Sequence, residues 1–293
     1  LGRLAAVRQR ARRGGSVIPR DYVTAWRATA PWVEDAQVEQ DLVISRALVE
    51  LFSHSLLARS LAFRGGTALY KLYLTPAARY SEDIDLVQVE AGPAGSVMDA
   101  IQATLNPWLG KPGWKQTHGR VTFRYGFESG GAPPMRMRVK VEINTREHLA
   151  VLGHTSRSLS VRSRWFEGAA KIRTFELDEL LATKLRALYQ RKKGRDLFDL
   201  TVGLGDGRSD PERIVRTFRS YMDAEGRPLT RAMFEQNLDG KLRDPSFGAD
   251  MSGLLAAGRE WDANAGVRVV AERLLSRLPG EPWQGRKLGT TAP

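Results

Sequence analysis

Two aspartates one residue apart, Asp83 and Asp85 in SEDIDLV, are the side chains of this sequence best suited to do chemistry. In a strand, side chains repeat every two residues on one face. Both carboxylates therefore point the same way, while Ile84 and Leu86 point into a core. Adjacent carboxylates repel, and the usual remedy is a divalent cation with oxygen ligands. Just upstream, FRGGTALYKLYL carries Gly65-Gly66 and then a predicted helix over 68–74. A Gly pair at a helix start brings bare backbone N–H groups to an end of the helix that favours anions. Arg79 and Ser81 frame the approach to the acidic strand.

Other elements must place these groups. The runs at 120–127 and 135–145 alternate like strands, and the SGGAPP segment between them predicts a hairpin. In the second run Val139, Val141 and Ile143 face one way, and Arg138, Lys140, Glu142 and Asn144 face the other. Glu142 is thereby offered on a polar face. A further helix is predicted from Asp178, which caps it, with Leu177, Leu181, Leu185 and Leu188 as its apolar stripe. Lys184 lies within or beside that stripe. If the helix continues, Lys184, Arg191 and Arg195 share a face. Six basic residues and no acid occur from 184 to 195. Gly194 is a candidate break, after which Asp196 starts another helix with Asp199 one turn on. Lys192–Asp196 and Arg195–Asp199 are also spaced as ordinary i,i+4 pairs.

The remaining pattern predicts a helix from about residue 21, a long helix over 38–61, and one over 96–105 stopped by Asn106-Pro107. Residues 147–170 read as connection and 171–177 as a short strand. Four or five helices are expected over 210–278, then a tail. The chain has 293 residues, room for one large or two ordinary domains, and 42% hydrophobic content, which argues against wholesale disorder. It has no cysteine, which excludes disulfides, zinc–thiolate sites and thiol catalysis and fits a cytoplasmic protein. Its four histidines have no ligand spacing, so a zinc hydrolase is poorly supported. No apolar run approaches the roughly 20 residues that span a bilayer, so no membrane partner is expected. The net charge of +12 favours nucleic acid, nucleotides or an acidic protein. Residues 1–20 contain six Arg and no acid, a basic arm without a hydrophobic signal core; the sequence begins on Leu, so an initiator end preceding it is expected.

Taken together, FRGGTALYKLYL, RYSEDIDLV, KVEIN and LLATKLRALYQRKKGRDLFDL resemble the AbiEii toxin family, nucleotidyltransferase-like toxins that include the mycobacterial MenT toxins. The resemblance runs from about residue 61 to 200. It implies an α+β fold: a polymerase β-like nucleotidyltransferase core, a small mixed sheet with helices, plus a C-terminal helical domain. The expected divisions are a helical segment over 1–60, the core over 61–170, the helical domain over 171–280 and a tail over 281–293. The family's first motif matches Gly65, Gly66, Ser81, Asp83 and Asp85. Its later motif matches Lys184, Asp196 and Asp199, and Glu142 is the candidate third carboxylate by position.

On this resemblance, Asp83 and Asp85 hold Mg²⁺, and Glu142 shares it or draws off the acceptor's proton. Gly65, Gly66 and Ser81 cradle phosphate. Lys184, helped by Arg191 or Arg195, neutralises the triphosphate of an NTP co-substrate. Asp196 and Asp199 orient Lys184 and Arg195, or contact base or ribose. The implied function is that of a toxin transferring a nucleotide to RNA, most readily the 3′ acceptor end of tRNA, with an AbiEi-like antitoxin as partner. Two alternatives use the same residues or fold: a metal-dependent phosphotransferase or kinase, and a catalytically inactive nucleic-acid-binding protein.

Overall fold

The computed structural model describes residues 18–131, 133–285 and 288–289. The basic arm and the end of the tail lie mostly outside the described residues. The chain divides into two compact units. The first holds the described residues up to Leu149 together with His154–Phe175. The second holds Ala150–Gly153 and the described residues from Glu176 onward.

The first unit is built on one mixed sheet. Its strands are β1 (Leu61–Arg64), β2 (Asp83–Gln88), β3 (Gly113–Thr117), β4 (Arg120–Glu128), β5 (Arg136–Asn144), β6 (His154–Arg162) and β7 (Glu167–Phe175). They lie in the order β3-β4-β5-β2-β1-β7-β6. β2 runs parallel to β5 and antiparallel to β1. Helices α1 (Arg20–Trp26), α2 (Asp35–Ser53), α3 (Ser55–Ser60), α4 (Gly65–Leu72) and α5 (Gly95–Leu109) belong to this unit. The alternation in the 120–145 region is realised as expected: Val121, Phe123, Tyr125, Val139, Val141 and Ile143 are buried on one face. The polar positions between them form the other face.

Several sequence expectations are corrected. Residues 147–170 are not connection: they contain β6 and the start of β7, and the two strands pair antiparallel from His154↔Phe175 to Arg162↔Glu167. In β6 only Leu159 and Val161 are buried, because it is an edge strand, so it offers almost no apolar run to read. The helix expected over 38–61 is two helices, broken where His54 is extended (φ −81°, ψ 120°). α5 passes through Pro107 instead of stopping before it. A proline so near a C-terminus forfeits one main-chain hydrogen bond and keeps the helical φ.

α2 is buried nearly all round, and most of its buried polar groups have partners. Asp41 accepts from Trp26 Nε1 (2.9 Å) and Lys71 Nζ (2.7 Å), and Gln40 donates to the Arg138 carbonyl (2.8 Å). Glu39 is 2% exposed and accepts from the Gly130 N–H (2.8 Å) through Oε2, while Oε1 has no partner. Burial pushes its carboxyl up from 4.5 to about 7; the Gly130 bond opposes this and Asp35 adds to it. A group whose folded pKa is raised gives stability that is full below its unfolded pKa and lost as pH rises through the folded one. Glu39→Gln is therefore expected to stabilise the protein at pH 8 by up to a few kcal/mol and to change little near pH 4. Thermal melts of both proteins at the two pH values check this; an equal shift at both would contradict it.

The second unit is helical: α6 (Leu177–Gln190), α7 (Gly194–Gly205), α8 (Pro211–Ala224), α9 (Arg231–Leu242), α10 (Pro245–Ala249), α11 (Ala263–Arg273) and a 3₁₀ turn at Leu275–Arg277. The count over 210–278 agrees with the expectation. Asp178 lies inside the first turn of α6 and is not its cap, which is Glu176. Asp178 instead accepts from the Asp210 N–H (3.1 Å) at the start of α8. Glu179, fully buried, accepts from Val151 N (2.6 Å), Leu152 N (3.0 Å) and Tyr221 Oη (2.7 Å). At the other end of α6, Lys241 donates to the Leu188 and Tyr189 carbonyls, two groups that a helix C-terminus leaves unsatisfied. No helix of the described residues is long and apolar enough to cross a membrane.

Candidate active site

In the first unit, Asp83 and Asp85 sit on the polar face of β2, as their spacing requires, with Ile84 and Leu86 buried behind. The parallel register with β5 puts Glu142 opposite Asp85 and Lys140 opposite Asp83. Three carboxylates thus share one face of two adjacent strands. Burial and then the Asp83 charge push the Asp85 carboxyl up; Lys140 and Arg64 pull it down, and Glu142 adds to the rise. Burial is the largest cause, and the two neighbouring carboxylates add to it.

The balancing charges are Lys140, which the strand alternation already sets beside Glu142, and two arginines, Arg120 and Arg64, that the sequence does not single out. Lys140 Nζ lies 2.9 Å from Asp83 Oδ2 and 3.6 Å from Glu142 Oε2. Arg120 Nε lies 3.2 Å from Glu142 Oε1. Arg64 faces Asp85 across the β1–β2 ladder and is tied to Glu147 at 2.9 Å. The alternation in KVEIN already placed Lys140 beside Glu142, so that signal was present. Arg64, by contrast, becomes a neighbour of Asp85 only through the sheet order.

The Gly pair fits closely against these groups. Gly65 has φ +84°, a conformation that side chains disfavour, and a Cβ there would collide with Asp85 Oδ2. At Gly66 a Cβ would meet Arg79 Nη2 at 2.5 Å and Ser81 Oγ at 3.0 Å. Thr67 Oγ1 lies 2.6 Å from the Asp83 carbonyl and 2.9 Å from Ser81 Oγ. Arg79 is 2% exposed and donates to the Tyr80 carbonyl (2.8 Å). The start of α4, Ser81 and the acidic strand are therefore one packed assembly. Gly65→Ala is expected to cost about 1–3 kcal/mol in backbone strain and to displace the Asp85 carboxylate. Its activity loss should exceed what its melting temperature accounts for; an active Gly65→Ala protein would contradict this packing.

The donor set is all oxygen, which suits a hard divalent cation. Among the described residues no three carboxylates or histidines are gathered into a ready-made metal cluster, and Lys140 stands between Asp83 and Glu142.

In the second unit the later motif forms its own cluster. Lys184 Nζ lies 2.8 Å from Asp199 Oδ2 and 3.2 Å from Asp196 Oδ1, with both aspartates fully buried. Arg191 grips Asp196 with Nε at 2.7 Å and Nη2 at 2.9 Å. Burial alone would push Asp196 up, but Lys184 and Arg191 outweigh it and hold the carboxyl below its usual value. Arg195 does not join them. The helix ends at Gln190, a new one starts at Gly194, and Arg195 turns to Asp250 (Nε–Oδ2 3.1 Å). Gly194 is needed because a Cβ would strike the Phe247 carbonyl. Lys192 and Lys193 also meet acids, Asp244 and Asp250, both at 3.2 Å. The basic run of 184–195 is thus largely neutralised locally, in part by Asp196 and Asp199 and in part by acids distant in sequence.

A family model described as "Nucleotidyl transferase AbiEii toxin, Type IV TA system" matches residues 46–269, most of the chain and every motif residue above. The chain belongs to the AbiEii family. As an AbiEii protein it is a nucleotidyltransferase of the toxin–antitoxin kind. Solved structures agree on the fold. MenT4, a nucleotidyltransferase toxin from Mycobacterium tuberculosis, superposes with a TM-score of 0.57 at 18% identity, covering 89% of this chain and 100% of that one. JHP933 from Helicobacter pylori gives 0.50 at 18% identity, covering 78% of this chain and 86% of that one. At such identities the likeness speaks for the AbiEii fold alone. No curated protein matches the chain.

Proposed function

We propose that this AbiEii protein transfers a nucleotide from an NTP to RNA, with the 3′ acceptor end of tRNA as the favoured target, and so blocks translation as the toxin of a pair whose antitoxin is AbiEi-like. The observation that carries the reading is the shared face of β2 and β5, which carries Asp83, Asp85 and Glu142, with Asp85 packed against the Gly65 backbone. In the reaction an RNA hydroxyl oxygen bonds to the α-phosphorus, the bond to the bridging oxygen of the β-phosphate breaks, and pyrophosphate leaves.

Asp83, Asp85 and Glu142 are the residues that would hold a divalent ion, Mg²⁺ by preference. When bound, such an ion neutralises charge on the attacking and leaving oxygens. Glu142 is also the candidate to take the hydroxyl proton. Gly65, Gly66 and Ser81 present backbone N–H and hydroxyl groups to phosphate. In the helical unit Asp196 and Asp199 position Lys184 and Arg191 as cations for phosphate; Arg191, with its side chain 54% exposed, is the more accessible. Arg195, which the resemblance offers as a second helper, is held by Asp250 instead of Asp196 or Asp199.

Paired labels test the reaction type. RNA should acquire label from an α-labelled NTP, and γ-label should appear only in pyrophosphate. Label passing from the γ-position to an acceptor would instead make the protein a kinase.

A further inference from the structure

The face that carries the carboxylates does not end at β5. Register continues it across two more strands: Glu142 opposes Thr122, Lys140 opposes Arg124 and Arg138 opposes Gly126 on β4, and Thr122 opposes Lys115 on β3. From β2 to the edge strand this is three interstrand steps, about 14 Å. Lys115, Arg120, Arg124 and Arg138 are all exposed along it. Arg120 is paired with Glu142, while the side chains of Lys115, Arg124 and Arg138 have no acidic partner among the described residues. This differs from the basic run of 184–195, whose cations are met by carboxylates. The acids on this face of β3, β4 and β5 are Glu142 and Glu128, and Glu128 opposes Arg136 at the far end. No apolar side chain falls on the face: Trp114 and Gln116 of β3 align with Phe123 and Val121 on the opposite side.

We propose that the acceptor RNA lies with its phosphate backbone across this face, from the carboxylates over β5 and β4 to β3, held by Lys115, Arg124 and Arg138. The proposal rests on the reading of RNA as acceptor and adds where the RNA sits. A protein partner would want an apolar centre to its interface, which this face lacks. Unpaired flexible cations with hydroxyl and amide groups between them are what phosphate contacts require, and they hold a strand without reading its sequence. The arrangement also leads a strand end directly to Asp85 and Glu142.

The test compares two triple variants with the parent protein. Lys115→Ala/Arg124→Ala/Arg138→Ala empties the face. Arg162→Ala/Arg216→Ala/Arg219→Ala removes the same charge from exposed positions elsewhere. Binding of 5′-labelled total tRNA is followed by anisotropy across a salt series. The face variant should bind at least about tenfold more weakly, and its log K against log[salt] slope should be shallower by about 2. Its transfer defect should be in KM for RNA, with kcat recovered at saturating RNA. The control variant should bind nearly as the parent does. Unchanged binding and slope in the face variant, an equal loss in the control, or no tRNA binding by the parent would each overturn the proposal. Parent protein that binds through this face yet labels no RNA would keep the binding site and remove the transfer reading. Labelled RNA with an unaffected face variant would do the reverse.

Discussion

Asp85→Asn is expected to lower nucleotide transfer by at least about 10³-fold while the protein stays folded, a loss equivalent to about 4 kcal/mol of transition-state stabilisation. Asparagine keeps the shape and one carbonyl oxygen but removes the charge. Asp85 sits at the most crowded point of the site: Asp83 two residues away, Glu142 opposite in the ladder, Gly65 against its Oδ2. Because its neighbours include two other carboxylates, removing its charge relieves repulsion, so the fold should not suffer. Circular dichroism and a thermal melt should match the parent. Activity within tenfold of the parent, from a variant that melts normally, would remove Asp85 from the machinery.

The largest effect on stability is expected at Asp196. Asp196→Ala takes away the carboxylate that Arg191 grips with two nitrogens and that shares Lys184 with Asp199. Breaking a buried charge network by deleting one member typically costs about 3–5 kcal/mol, because a partner is left buried and under-compensated. Arg191 can turn to solvent, but the Lys184 side chain is only 7% exposed. Urea unfolding should therefore show a loss on the order of 3 kcal/mol, and Asp196→Asn, which retains an acceptor, should lose less. A loss under about 1 kcal/mol would show that the cluster is solvated and carries little of the helical unit.

What could be read from the sequence follows period and local chemistry. The period-2 alternation of 120–145 gave the β4–β5 hairpin, and the one-residue spacing of Asp83 and Asp85 gave their common face. The AbiEii resemblance then followed from motifs spread over 61–200. What was hidden depends on partners far apart in the chain. β6 and the start of β7 carry too few buried side chains to announce themselves, and they exist because β1 accepts β7 along its free edge. Likewise, the basic run of 184–195 looked like an open cationic face because Asp244 and Asp250 lie about fifty residues away. Conversely, Arg138 is legible only as a neighbour of Glu142 on one strand face, Lys115 and Arg124 stand out not at all, and only the register of β3, β4 and β5 aligns the three with Asp85.

The central claim is nucleotide transfer to RNA by the carboxylate face. Its most direct test is purified protein incubated with total RNA, Mg²⁺ and each of the four α-labelled NTPs in turn, with Asp85→Asn alongside. Labelled RNA with at least one NTP, abolished in Asp85→Asn, is the expected result. No label with any of the four, or equal label from Asp85→Asn, would contradict it.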